Sequence, residues 1–256
     1  MNAVAESNEQ LSQYLLRMGD NCLILSQRLC GWTGHGPTLE DDLALSNVAL
    51  DLLGQARLWL DYASSLHPTK RSEDALAYWR DAHEFRNLLL LEQPNGNFAD
   101  TQVRQFFFDS WHFLVLTALS NSTDEKVAAI STKALKEVDY HVRRSSHWML
   151  RLGGGTELSR SKLILALEQH WNYVGELFEM DELEQEMHAC GIGCDLGALH
   201  AEWLAYVNDV LGKVELALPS RTPFQSGGKR GKHGEHLLSM LMEMQYLQRV
   251  HPGAQW

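Results

Sequence analysis

The residues whose types and spacing could do chemistry lie on two helical stripes. One runs Leu45, Val48, Leu52, Gln55, Trp59; the other runs Val127, Ile130, Ala134, Val138, His141, Ser145, Met149, Leu152. Each has the 3-4 spacing of one helix face turned to a core. The i, i+3 pairs at the middle of these stripes are Leu52/Gln55 and Val138/His141. In carboxylate-bridged di-iron bundles both pairs are Glu-x-x-His, because two irons need bridging carboxylates to balance charge and one imidazole each. Here both carboxylate positions are aliphatic and one imidazole is an amide. Two further carboxylates would be needed from the first and fourth helices, near Cys22 and near Phe108/Asp109, and only Asp109 has the right chemistry. A carboxylate buried without its metal costs several kcal/mol, whereas burying an aliphatic side chain contributes roughly 1.5–3 kcal/mol. A lineage that lost its metal would therefore carry Leu and Val here. The expectation is a site with no metal ligand, no catalytic residue and no bound cofactor.

Other constellations call for the same weighing. Asp109-x-x-His112 and Glu137-x-x-x-His141 sit on neighbouring helices and could converge on a single metal ion, but a core His bonded to Asp or Gln is the commoner arrangement. Glu137 lies beside its stripe, where pairing with Lys133, Arg143 or Arg144 is the usual outcome. Asn47, Asp51 and Gln55 form a polar ladder at i, i+4, i+8, read as a buried hydrogen-bond network or as a line facing a partner. His233-x-x-His236 has ligand spacing without a third ligand nearby. The loop Gly227-Gly228-Lys229-Arg230-Gly231-Lys232 is not a P-loop, since Ser226 stands at the first glycine position and His233 follows the lysine. Its cations Lys229, Arg230 and Lys232 could still touch substrate phosphates, the plainer reading being a solvated turn. Cys22, Cys30, Cys190 and Cys194 make no zinc or redox spacing. No Gly-x-Ser-x-Gly elbow or dinucleotide fingerprint occurs.

The elements that must position these residues are helices. The spacing predicts a first helix over 10–32, on Leu11, Leu15, Met18, Cys22, Leu25, Leu29 and Trp32. A second runs from a Thr38/Asp41 capping box to about Leu66, stopped by HPT at 67–69. Ser72 caps a third, predicted through Leu91 and ending before PNGN. The fourth, 98–120, is apolar on nearly every side and must be buried all round. The fifth, 123–152, ends at Gly153-Gly154-Gly155. A sixth runs from Thr156 to about Glu186, a seventh over 195–217, and a last over 234–250. No strand pair and no repeat is visible.

A chain of 256 residues suits one domain, spanning 1–256. The formal net charge of −11 argues against nucleic acid or an anionic membrane surface as partner. MNAVAESNEQ has neither a basic region nor an apolar run, so no signal peptide is expected, and no apolar run is long enough to span a bilayer. The cytoplasm is the expected compartment.

Five stretches go beyond generic bundle sequence: GDNCLILSQRL (19–29), LALSNVALDLLGQARLWL (43–60), LLLLEQPNGNFADT (88–101), KALKEVDYHVR (133–143) and EMQYLQRVHPGAQW (243–256). Together they resemble the C subunits of the bacterial phenylacetyl-CoA ring 1,2-epoxidases, within the multicomponent monooxygenases. The resemblance spans essentially the whole chain. It implies an all-α, ferritin-like helical bundle with extra peripheral helices, acting as a non-catalytic structural subunit. It further implies a paralogous di-iron catalytic subunit that keeps both Glu-x-x-His pairs, a small accessory subunit, and a reductase carrying FAD and an iron–sulfur cluster fed by NADPH. The assembly would epoxidise the ring of phenylacetyl-CoA. The pairs of the paralogue fall on Leu52/Gln55 and Val138/His141, so no catalytic role carries over. A stand-alone oxygenase or oxidase with a degenerate metal site, and an acyl-CoA-pocket binding module, are the alternatives.

Overall fold

The computed structural model describes residues 3–66 and 71–254, which hold nine α-helices and no strand. The helices are α1 (Ala3–Cys30), α2 (Leu39–Leu66), α3 (Glu73–Tyr78), α4 (Phe98–Leu119), α5 (Glu125–Gly153), α6 (Glu157–Trp171), α7 (Glu182–Ala189), α8 (Leu196–Gly212) and α9 (Glu235–Val250). Two compact units result. One takes the chain up to Pro94 together with residues from Gly227 onward; the other is Asn95–Ser226.

In the first unit α1 and α2 pack antiparallel. Leu11, Leu15, Met18, Cys22, Leu25 and Leu29 are all buried, as is the α2 stripe from Leu45 to Trp59. Two serines tie the pair at its ends: Ser12 donates to the Ala63 carbonyl at 2.9 Å and Ser26 to the Ala49 carbonyl at 2.7 Å. Gly19 lets the helices approach, since a Cβ there would lie 2.7 Å from Leu60 Cδ2. The first helix stops at Cys30, so Trp32 falls in the turn beyond it. Thr38 caps α2 as expected, its hydroxyl accepting the Asp41 N–H at 3.2 Å. The HPT stop signal lies outside the described residues.

The predicted third helix is largely wrong. Ser72 does cap it, but α3 ends at Tyr78, and the chain to Gln93 is a short 3-10 turn (Ala82–Glu84) followed by irregular backbone. The cause is side chains of α1 that claim the backbone donors a helix would need. Asp20, fully buried, accepts the Arg86 N–H at 2.8 Å and the Arg80 guanidinium at 3.0 Å. Asn21 Oδ1 accepts the Leu88 N–H at 2.8 Å. Leu88 to Leu91 fill the core from this irregular segment. The last helix holds α3 from outside: Gln245 Nε2 donates to the Ala77 and Arg80 carbonyls, each at 3.0 Å.

In the second unit α4 is the centre, and every residue from Ala99 to His112 is buried. Against it pack α5, α6 and α8. Indoles bind its surroundings through backbone carbonyls: Trp111 donates to Leu177 at 2.9 Å and Trp203 to Phe107 at 3.2 Å. Asp124 caps α5 by accepting the Lys126 and Val127 N–H groups. The predicted helix 156–186 is instead α6, a 3-10 turn (Val174–Phe178) and α7. Its break comes where the Asn172 carbonyl accepts the Phe224 and Gln225 N–H groups at 3.2 and 2.9 Å, and is therefore lost to a continuing helix. The helix predicted to reach residue 217 ends at Gly212.

Candidate functional site

The candidate positions fall in two separate places, Leu52 and Gln55 in the first unit and Val138 and His141 in the second. In the first unit Leu52 is fully buried and Gln55 is 1% exposed on the inner face of α2. The Cys22 thiol of α1 donates to Gln55 Oε1 at 3.7 Å, a weak neutral contact. The two α1/α2 positions where a metal bundle would put carboxylates thus carry a thiol and an alkyl group. Asn47 is exposed and Asp51 half-exposed, so the polar ladder reaches the core only at Gln55.

In the second unit Val138 is fully buried and His141 is 1% exposed on α5. Asp109 of α4 lies in the electrostatic reach of His141, Ser145 and Arg144, so the register that placed Asp109 at this level holds. Gln105 Nε2 donates to Asp109 Oδ1 at 3.3 Å. Burial pushes the Asp109 carboxyl up from 3.8 to about 6, against the opposing pull of His141, Ser145 and Arg144. His112, in contact with the Phe108 and Trp111 rings, is driven down to about 3 by burial and by His141, and stays neutral. Asp109, His112 and His141 therefore share one neighbourhood, as the sequence suggested. Glu137 is half-exposed.

This donor set does not fit a di-iron centre. The positions where the spacing would put bridging carboxylates are hydrocarbon at Leu52 and Val138, and the carboxylate near His141 is Asp109. Among the described residues no three His, Cys, Asp or Glu side chains are grouped to hold a metal ion.

The remaining motifs take structural roles. His233 uses both ring nitrogens, Nδ1 at 2.7 Å from Glu92 Oε2 and Nε2 at 3.0 Å from the Phe85 carbonyl, so it has none to offer a metal. Burial alone would lower its pKa, but the bonds to Glu92 and Phe85 outweigh this and raise it. Glu92, fully buried, also accepts the Gly234 N–H at 2.7 Å and Asn87 Nδ2 at 3.2 Å. The glycines of the basic loop serve this packing. A Cβ on Gly228 would sit 2.2 Å from the Asn87 carbonyl oxygen, and one on Gly231 2.2 Å from that of His83. Lys229 is buried in the same seam, whereas Arg230 and Lys232 are exposed. None of the four cysteines is in a disulfide; Cys22 and Cys194 are buried, Cys30 and Cys190 exposed.

Sequence reasoning missed the polar interior of α4. Gln102, Arg104 and Gln105 are buried with Asp109, and Arg104 donates to Asn95 Oδ1 at 2.7 Å. His170 of α6, beside Arg104, is lowered to about 3 by burial and by that cation. The signal was present: Gln102, Arg104, Gln105 and Asp109 fall within eight positions of a helix whose aromatic and aliphatic residues otherwise mark it as buried all round.

Over residues 1–256 the chain matches the family described as phenylacetic acid catabolic protein. It is similar to the C subunit of the 1,2-phenylacetyl-CoA epoxidase of Escherichia coli (strain K12), being 52% identical over 247 residues, 96% of this chain and 99% of that protein. The family is ferritin-like and helical, as is the all-α fold of this chain. No helix among the described residues is long and apolar enough to cross a membrane.

Proposed function

This chain belongs to the phenylacetic acid catabolic protein family, and from that premise we propose that it is the non-catalytic structural subunit of a phenylacetyl-CoA epoxidase. Its partner is a paralogous subunit that holds the di-iron centre, with a small accessory subunit and a reductase carrying FAD and an iron–sulfur cluster. That assembly uses O2 and reducing equivalents from NADPH to epoxidise the aromatic ring of the acyl-CoA. This subunit binds no cofactor, acts in the cytoplasm as one ferritin-like domain, and meets neither nucleic acid nor membrane.

One observation carries the proposal: Leu52 and Val138, both fully buried, occupy the positions where the di-iron chemistry requires carboxylates. Hydrocarbon there stabilises the folded chain without a metal, while a catalytic paralogue holds several buried carboxylates that destabilise it until iron is loaded. A partner that binds only the folded state of that paralogue stabilises it by mass action. Co-expression provides the test. The catalytic subunit produced alone should be poorly soluble or weakly active, and adding this chain should rescue it. Equal solubility and activity without this chain would overturn the scaffold reading.

A further inference from the structure

The outer face of α2 is a second seam that no described part of the chain covers. Leu39, Leu43, Leu50 and Leu53 are 70, 55, 64 and 45% exposed. With Ser46 and Arg57 they recur at alternating four- and three-residue intervals, the heptad pattern of a helix that packs against another helix. This seam lies opposite the buried stripe of Leu45, Val48, Leu52, Gln55 and Trp59, so α2 carries two apolar faces and buries one. A surface helix needs only one apolar stripe for its own core. Gly54 sits beside Leu50 and Leu53, and a Cβ added there would meet nothing within 4 Å, which leaves room for another backbone to come close. An open groove of about 550 Å³ runs alongside between α2 and α3, its walls including Leu23, Leu50, Leu53, Leu60, Ala77 and Tyr78.

The charges at the rim decide what fits. Glu40 and Asp61 flank the seam on α2 and are exposed. Asp74, exposed on α3, borders the groove, and Glu73 beside it lies 3.9 Å from Arg57. The rim is therefore acidic, with Arg57 as its counter-charge. A second copy of this chain laid on the seam would bring acid against acid, which like-charge repulsion disfavours. A helix with apolar residues at the same spacing and Lys or Arg at its flanks complements both the leucines and the rim.

We propose that the outer seam of α2 is the docking surface for the catalytic subunit, which meets it with a basic-flanked amphipathic helix. This rests on the functional proposal above, and the test separates the two. Purified wild-type chain is titrated against the catalytic subunit, and Kd is measured at low and high salt. The Leu50→Glu/Leu53→Glu variant should bind at least tenfold more weakly while keeping the wild-type circular dichroism and melting curve, because both side chains are already exposed. The Glu40→Lys/Asp74→Lys variant leaves every leucine in place. It should weaken binding severalfold and flatten the salt dependence. If both variants bind as wild type does, the seam assignment is overturned while the functional proposal stands. It is also overturned if wild type alone dimerises and the leucine variant becomes monomeric but still binds the catalytic subunit. If the wild-type chain does not bind the catalytic subunit at all, both readings fall.

Discussion

Replacing Asp109 by Asn should stabilise the protein at neutral pH. Asp109 is 2% exposed on α4, and burial holds its carboxyl at about 6 instead of 3.8. A carboxyl whose folded pKa lies above its unfolded value binds more protons in the native state between the two. Stability therefore falls as pH rises from about 4 to about 6 and stays reduced above that. The gap corresponds to about 3 kcal/mol at pH 7. Asn keeps an oxygen to accept the Gln105 Nε2 donor but adds an amide that needs a partner, which takes back about 1 kcal/mol. The net expectation is a gain of about 2 kcal/mol at pH 7, shrinking towards zero or a small loss below about pH 4. His112 and His170, both held near 3, work in the opposite sense, their stability contributions fading as pH falls below the ordinary histidine value. They are common to both proteins and cancel in the difference. Urea unfolding followed by tryptophan fluorescence from pH 4 to pH 8 gives that difference directly. A variant less stable than wild type at pH 7, or a difference that does not change with pH, would refute the reasoning.

Gly228→Ala should lower stability by about 1–3 kcal/mol, because its Cβ would press to 2.2 Å from the Asn87 carbonyl in a packed seam; an unchanged melting temperature contradicts the structural role given to the basic loop. His233→Gln should cost most at low pH. The folded His233 pKa is raised, so its charged pairing with Glu92 stabilises fully below about pH 6.5 and is lost as pH rises through the raised value. Denaturant midpoints of variant and wild type at pH 6 and pH 9 should therefore converge on the alkaline side, and a gap that widens there counts against it.

The parts of the fold legible in the sequence are those where one periodicity governs. The seams of α1, α2 and α5 announce themselves because Leu11 to Leu29, Leu45 to Trp59 and Val127 to Met149 each repeat at 3-4 spacing and each is buried. The candidate positions Leu52, Gln55, Val138 and His141 were found from the same repeat. Residues 79–93 misled for a physical reason. An apolar run such as Leu88–Leu91 packs into a core from helix or from irregular backbone alike, and the choice rests on Asp20 and Asn21, some 67 residues away, which capture the Arg86 and Leu88 N–H groups. The break after Trp171 has a similar distant origin in Phe224 and Gln225. The basic loop looked solvated from composition, yet its glycines admit the backbone at 83 and 87, and Lys229 is buried with them.

With hydrocarbon at Leu52 and Val138, this chain should hold no di-iron site. Loading the purified protein with ferrous iron under anaerobic conditions, desalting it, and measuring bound metal tests this most directly. Essentially no iron should be retained after desalting. Retention of about two irons per chain, the stoichiometry of a carboxylate-bridged bundle site, would contradict it.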